Sequence, residues 1–309
     1  MEISIIIPTH NRASILDTSL TKIFSSNFPK NKYEVIVVND ASTDSTEEIC
    51  NKWSKTENLV YIKQKKAGQG VARNKGIEIA KGNIILFGQD DIFVTKNFLQ
   101  EHLKTHQKHP EKNYGCLGLI LWDPEIRISD LMKWSTNEIT FLNKFGGHQF
   151  AFNHLKDNQA TNYNYFYTSN LSLKKKILEQ NKFDPWFDGY GWEDIELGYR
   201  LQKKEDLKLI YNSQALAYHH HEISESDFKN RMIQIGAASH LLNKKHPELK
   251  KTPNKLKHII FAIISIQPII IILKFLNKFS NNYLIAIYYY CLSKNYYLKG
   301  LKIIPDKLK

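Results

Sequence analysis

Cysteine is scarce. Cys50, Cys116 and Cys291 are three in 309 residues, an odd number with no short spacing. That argues against a disulfide scaffold or a cysteine-held zinc site and for a reducing, cytoplasmic setting. Glycine (14) and proline (9) are too few for a collagen-like or low-complexity chain. Met1 is followed by Glu2 and an apolar run that stops at Pro8, without the basic start and small-residue cleavage site of a secretory leader. Arginine is missing from Leu242 to Lys309, and acid nearly so: thirteen lysines face only Glu248 and Asp306. That surplus of eleven positive charges is almost the whole net charge of +12, so two functional parts are expected.

What is present before the tail is an alternation. Apolar runs at Ile3–Ile7, Tyr33–Val38, Leu59–Ile62 and Asn83–Phe87 read as strands, separated by helical patterns at Arg12–Ser26, Asp44–Ser54 and Gly70–Ala80. Continuous apolar strands between helices imply a mainly parallel sheet covered on both faces, with ligands beyond the carboxyl ends of its strands. Those ends carry chemistry: Pro8-Thr9-His10-Asn11-Arg12, Asn39-Asp40 and Gly88-Gln89-Asp90-Asp91. Further helix is expected at Thr95–His106 and Trp192–Lys204, and strand at Tyr114–Trp122, Tyr165–Leu173, Leu207–Tyr211 and Ala215–His219. From Ile223 onward everything reads helical.

Each candidate has two readings. Asp40 either opens a helix that Ser42 or Thr43 caps, or accepts hydrogen bonds from a base or ribose. The adjacent Asp90 and Asp91 repel each other unless solvated or neutralised by a cation. The glycines of Ala67-Gly68-Gln69-Gly70 lack the spacing of a dinucleotide fingerprint and suit a helix entry, whereas Arg73 is a natural partner for a diphosphate. Gly189-Tyr190-Gly191-Trp192 before Glu193 and Asp194 reads as a mobile, aromatic-lined loop delivering a carboxylate, although acids in a first helical turn also suit the helix dipole. In His219-His220-His221, strand alternation puts His219 and His221 on one face and His220 on the other.

Together these segments resemble the family 2 nucleotide-sugar glycosyltransferases of GT-A fold. SIIIPTHNR, VIVVNDASTDST, AGQGVARNKGIEIAKGNIILFGQDD and FDGYGWEDIELGYRL stand in that family's order, and the likeness covers roughly Ile3 to His221. YTSNLSLKK (Tyr167–Lys175) with GYGWEDIEL is also similar to the catalytic region of galactosyl- and N-acetylgalactosaminyl-transferases. The resemblance implies an α/β domain over residues 1–222, its nucleotide-binding half at 1–110 and its acceptor half at 111–222, followed by a helical basic extension at 223–309. It implies that Pro8, Thr9 and Arg12 line a nucleotide pocket, that Asp40 contacts uracil or ribose, and that Arg73 meets the diphosphate. Mn²⁺ or Mg²⁺ would be held by Asp90, with Asp91 the second choice and His219 closing the set. Asp194 would be the base, Glu193 its neighbour orienting donor or acceptor, with Trp192, Trp186 and Asn170 toward the acceptor. One departure stands out: the family's metal motif usually begins with Asp where this chain has Gly88, so a ribose contact is either lost or passed to Gln89, while Asp90 remains for the metal.

The implied activity is inverting transfer from a UDP-sugar to a glycan or lipid-linked acceptor in cell-surface polysaccharide assembly. A metal-neutralised diphosphate leaves without a protein acid, so one base suffices where a glycosidase ordinarily needs two opposed carboxyls. A nucleotidyltransferase is the alternative, although no triphosphate-binding loop follows the first strand. A non-catalytic nucleotide-sugar-binding protein is another. In the tail, Ile259–Leu273 and Tyr283–Leu292 are apolar, lysine-flanked and short for a bilayer span, which fits attachment to an anionic membrane at its inner face better than a nucleic acid. A helical lid or homo-oligomer contact is the other use of such helices.

Overall fold

The run ISIIIPT is wholly buried, as a strand covered on both faces must be, and forms β1 (Ile3–Thr9). The computed structural model describes all residues except Asn143, His148, Tyr190 and 278–281. After β1 come α1 (Ala13–Phe24), β2 (Tyr33–Asp40), α2 (Thr46–Ser54), β3 (Leu59–Gln64), α3 (Gln69–Ile79) and β4 (Ile84–Phe87). Then follow β5 (Ile92–Val94), α4 (Phe98–Lys108), β6 (Tyr114–Trp122), α5 (Asp130–Ser135), β7 (Ala160–Thr161), β8 (Leu171–Lys174) and α6 (Lys175–Leu178). The chain closes with α7 (Glu193–Glu205), β9 (Lys208–His219), α8 (Glu225–Lys245), α9 (Lys255–Ile264), α10 (Gln267–Leu276) and α11 (Asn282–Leu301).

The strands make one sheet in the order β3-β2-β1-β4-β8-β6-β9-β5, with β7 beside β9. Its first four strands are parallel, as expected. The other half is mixed: β8 runs antiparallel to β4 and β6, and β5 antiparallel to β9. Two expectations shift. Residues 165–170 are not strand, and the two short strands expected at Leu207–Tyr211 and Ala215–His219 are one, β9, whose pairing with β6 slips between Gly118 and Leu119.

Two compact units result. The first comprises Met1–Glu125, Leu155–Asp188 and Glu193–His221; the second Ile126–His154, Gly189–Trp192 and Glu222–Lys309. The segments at 126–154 and 189–192, expected with the acceptor half, thus belong with the C-terminal helices. Within that second unit α8 and α11 meet at glycines. A Cβ on Gly300 would lie 2.1 Å from the Ile233 carbonyl oxygen, and one on Gly236 2.4 Å from that of Tyr297.

Beneath the first unit's sheet a buried polar chain has a fixed direction. The Asn170 amide nitrogen donates to the Leu119 (3.0 Å) and Ala215 (2.9 Å) carbonyls, so its oxygen accepts from His102 Nε2 (2.8 Å). A neutral His102 then accepts at Nδ1 from the Ser172 hydroxyl (2.8 Å), which in turn accepts from His106 Nε2 (2.8 Å). Burial favours the neutral form of both rings. Burial pushes His102 down to about 4 and His106 down to about 3. A native value below the unfolded one means full stability above pH ~6.5, lost as pH falls toward those values, by a few kcal/mol on the order of. Urea midpoints should therefore fall between pH 7 and 4, less steeply in His106→Gln. An identical slope in that variant would contradict the assignment.

Candidate active site

The loops after β1 and β2 are stapled to each other by short polar side chains. Asn11, in the left-handed region at φ 54°, donates its N–H to Ser42 Oγ (2.9 Å), and its Oδ1 accepts from Thr43 N (2.7 Å). Asp44 accepts from Ala13 N (2.9 Å) and Thr46 N (3.2 Å), so it rather than Ser42 or Thr43 satisfies helix-start N–H groups. Asp40, closing β2, is occupied in the same way. Its carboxylate accepts from Gln64 Nε2 (2.7 Å), Ala67 N (2.8 Å) and Gly68 N (3.0 Å). Burial raises its carboxyl, but those bonds outweigh it and hold the group below its ordinary value. Asp40 therefore shapes the loop that leads into α3. Gly68 is obligatory there: its φ is +89°, and a Cβ would sit 2.6 Å from the Asp188 carbonyl oxygen.

Asp90 and Asp91 are both buried after β4. The three-residue β5 that follows pairs with β9, setting Ile92 opposite His219, and this ladder carries the histidine run onto the acids. His219 Nε2 lies 3.3 Å from Asp91 Oδ2, and the His220 N–H donates to the Asp91 carbonyl at 2.9 Å. Arg12 approaches from the β1 loop, Nη1 at 2.9 Å from Asp91 and 3.5 Å from Asp90, with Nη2 3.4 Å from His221 Nδ1. Thr9 Oγ1 donates to Asp90 at 2.8 Å. Burial and the charge of Asp91 push Asp90 up; for Asp91 burial acts upward too, but His219 and Arg12 keep it ionised. A hard divalent cation suits this donor set, because Asp91 Oδ1 is buried with no hydrogen-bond partner among the described residues. Thr9 and Arg12, expected on the nucleotide, thus converge on the acid pair.

A second carboxylate pair forms at the start of α7. Of its three first-turn acids, Glu196 is spent on Arg200, whose Nε and Nη2 donate at 2.7 and 2.9 Å. Glu193 and Asp194 instead share Arg73. That side chain is fully buried, places Nη1 3.8 Å from Glu193, and carries its guanidinium carbon 5.6 Å from the Phe183 ring centre. Asn74 clamps the preceding segment by exchanging two 2.8 Å bonds with the Phe183 backbone. Burial and the Glu193 charge push Asp194 up to about 7, while Ile195 N–H and Arg73 act the other way. A carboxylate whose proton affinity matches neutral pH is equipped for general-base work. Sequence reasoning assigned Arg73 to a diphosphate; the fold spends it on these acids.

A family model described as glycosyl transferase family 2 matches residues 4–163, just over half of the chain. The chain belongs to that family. It is similar to validoxylamine A glucosyltransferase of Streptomyces hygroscopicus subsp. jinggangensis, 26% identical over 263 residues that cover 80% of this chain and 61% of that protein. It is also similar to the Staphylococcus aureus poly(ribitol-phosphate) beta-N-acetylglucosaminyltransferase TarS, 33% identical over 103 residues, 33% of this chain and 18% of that protein. The TarS 1–349 crystal structure superposes with TM-score 0.53 over 97% of this chain and 89% of that one, at 18% identity. It has also been solved with UDP and with UDP-GlcNAc. The Pyrobaculum calidifontis mannosyltransferase PcManGT, in complex with GDP-Man and Mn²⁺, gives TM-score 0.56 over 97% and 73% at 17% identity. These structural likenesses are of fold, the GT-A fold. The chain spans about three-fifths of the length of the curated relatives it matches first.

Within this family 2 domain the remaining expected residues are placed unevenly. Pro8 is buried inside β1 opposite Val38, and Gln89 is half-buried at the end of β4. Asn170, expected toward an acceptor, is 0% exposed with its amide consumed by the histidine chain, so it is part of the frame. Trp186 is half-buried next to Asp184, whose carboxylate accepts its backbone N–H at 2.9 Å. Trp192, in the second unit, adopts φ 71° and donates from Nε1 to the Ile235 carbonyl (3.0 Å), so its indole is tethered to α8 rather than carried on an untethered loop. Tyr190 lies outside the described residues. As alternation predicts, His220 turns away from His219 and His221. It meets Asp123 at 2.8 Å, and with Glu125 these form a trio with ligand atoms within 4.8 Å of one another, which sequence reasoning missed because Asp123 precedes a long irregular stretch.

Proposed function

We propose that the chain is an inverting glycosyltransferase that moves a hexose or N-acetylhexosamine from a UDP-sugar to a hydroxyl of a glycan or lipid-linked glycan, in surface polysaccharide assembly. The single observation that carries this reading is the Glu193–Asp194 pair on a buried arginine, with Asp194 tuned to hold a proton near neutrality. In this reading Asp194 accepts the acceptor hydroxyl's proton as that oxygen attacks the anomeric carbon, and an in-line attack inverts it. Glu193 keeps Asp194 basic by its charge, and Arg73 keeps the pair from neutralising outright. Asp90, Asp91 and His219 would hold Mn²⁺ or Mg²⁺, which when bound neutralises charge on the departing diphosphate. Arg12 sits where it balances the acids, and Thr9 orients Asp90 by its hydroxyl. Pro8 and Gln89 border the nucleotide, and Asp40 supports it through the Ala67–Gly68 backbone.

A UDP donor is supported by the UDP and UDP-GlcNAc complexes of TarS, and a polymeric surface acceptor by that enzyme's poly(ribitol-phosphate) substrate. A hexose-type sugar is supported by the glucosyl- and N-acetylglucosaminyl-transferases to which the chain is similar. The test is nucleotide release from a panel of UDP- and GDP-sugars with Mn²⁺ present. UDP-sugar turnover at least about tenfold above GDP-mannose is expected, the scale of one pocket contact. Pyrophosphate release from UTP and a sugar 1-phosphate would replace this reading with nucleotidyl transfer. Tight UDP binding without turnover would replace it with a binding protein.

A further inference from the structure

The second unit presents an exposed apolar surface on its C-terminal helices. α9 buries none of its residues and α10 only Ile270, although both are strongly apolar. Leu256, Ile259, Ile260 and Ile263 recur at helical spacing along α9, and Ile271 and Ile272 continue the exposed apolar surface on α10; these six are 45–67% exposed. A monomer rarely leaves such a contiguous apolar area to water. The two helices are bent by 50° at Ser265–Ile266, and the break is built in: Asn295 of α11 donates to the Ser265 carbonyl at 2.8 Å, and Ser265 Oγ to that of Phe261 at 2.6 Å. Among the described residues no single helix is long and apolar enough to cross a membrane. Each arm, at 10 residues, is about 15 Å long, half of a ~30 Å hydrocarbon core.

We infer that this bent pair docks on an anionic lipid bilayer, with the isoleucine row inserted at the level of the headgroups and the surrounding lysines on the lipid phosphates. Charge selects the occupant. Lys255 and Lys257 are exposed beside the apolar row, and residues 242–309 carry thirteen lysines against two acids. A two-fold contact with a second copy would set this surplus against itself, whereas an anionic bilayer complements it. Basic residues interleaved with long aliphatic side chains are the composition of an interfacial helix.

Vesicle sedimentation of the full chain tests this, using phosphatidylcholine alone or with about 30% phosphatidylglycerol, at about 0.1 M and 1 M salt. Retention at least about tenfold higher on the anionic vesicles at low salt is expected, falling at high salt. The double variant Ile263→Glu/Ile271→Glu should lose that retention with its circular dichroism and thermal midpoint unchanged, because both positions are already exposed. Lys255→Glu/Lys257→Glu should lose the preference for anionic lipid. Equal retention of wild type and the isoleucine variant overturns the inference. So does self-association that the isoleucine variant abolishes while neither protein binds vesicles, which would make the surface a contact between copies. Retention that resists 1 M salt and alkaline carbonate overturns it in favour of a bilayer span.

Discussion

Asp194→Asn should lower kcat by about 10²–10⁴-fold, the range for loss of a general base, with UDP affinity held within a few-fold. Asparagine has the shape of aspartate and retains an oxygen for the Ile195 N–H, which donates to Asp194 at 2.7 Å. What it removes is the basic lone pair. It also removes a charge from beside Glu193, so folding should not suffer, and a lost rate is then a statement about proton transfer. Glu193→Gln should cost less, because Glu193 acts through Asp194. A full transfer rate in Asp194→Asn would assign the base elsewhere.

Asp91→Asn is the second large effect. Asp91 Oδ1 is a buried oxygen without a hydrogen-bond partner among the described residues, and Oδ2 already faces His219 and Arg12. Loss of the anion leaves Arg12 with Asp90, 3.5 Å away, as its neighbouring acid, and would leave a bound cation without an ionised ligand. Metal stabilisation of a leaving diphosphate is worth several kcal/mol, so transfer should fall by about 10²–10³-fold. Calorimetric titration of Mn²⁺ in the presence of UDP should show affinity falling in step. Unchanged Mn²⁺ affinity and rate in Asp91→Asn would place the ion on other residues, the Asp123–Glu125–His220 trio being the first to examine.

Much of this was legible in the sequence because strand ends are where an α/β sheet exposes polar residues. The runs at Ile3, Tyr33 and Asn83 announced buried strands, and Thr9, Asp40, Asp90 and Asp91 follow them directly. The sequence could not show which of these side chains the fold would consume. Asp40 lies beside an ordinary turn motif, yet three donors more than twenty residues later, from the end of β3 and the loop after it, occupy it. Asn170 sits in a segment that resembles a catalytic region, yet only the approach of β6 and β9 reveals the carbonyls it bonds. Gly118 permits that approach, since a Cβ there would lie 2.3 Å from the Asn170 amide.

The strand that matters most for the metal-type site was the least visible. β5 has three residues, too few for periodicity to register, and it is what brings His219 to Asp91. Arg73 was misdirected for a related reason. Its contact with Glu193 spans 120 residues of sequence, and only tertiary packing on Phe183 sets the direction of the side chain.

The central claim is that the fold raises the proton affinity of one carboxyl, Asp194, by enclosing it beside Glu193. Carbon-13 NMR of aspartate-labelled protein, compared with Asp194→Asn to identify the missing signal, reads that carboxyl directly and needs neither donor nor acceptor. A midpoint near 7 is expected. A midpoint near 4, that of an ordinary aspartate, would contradict it.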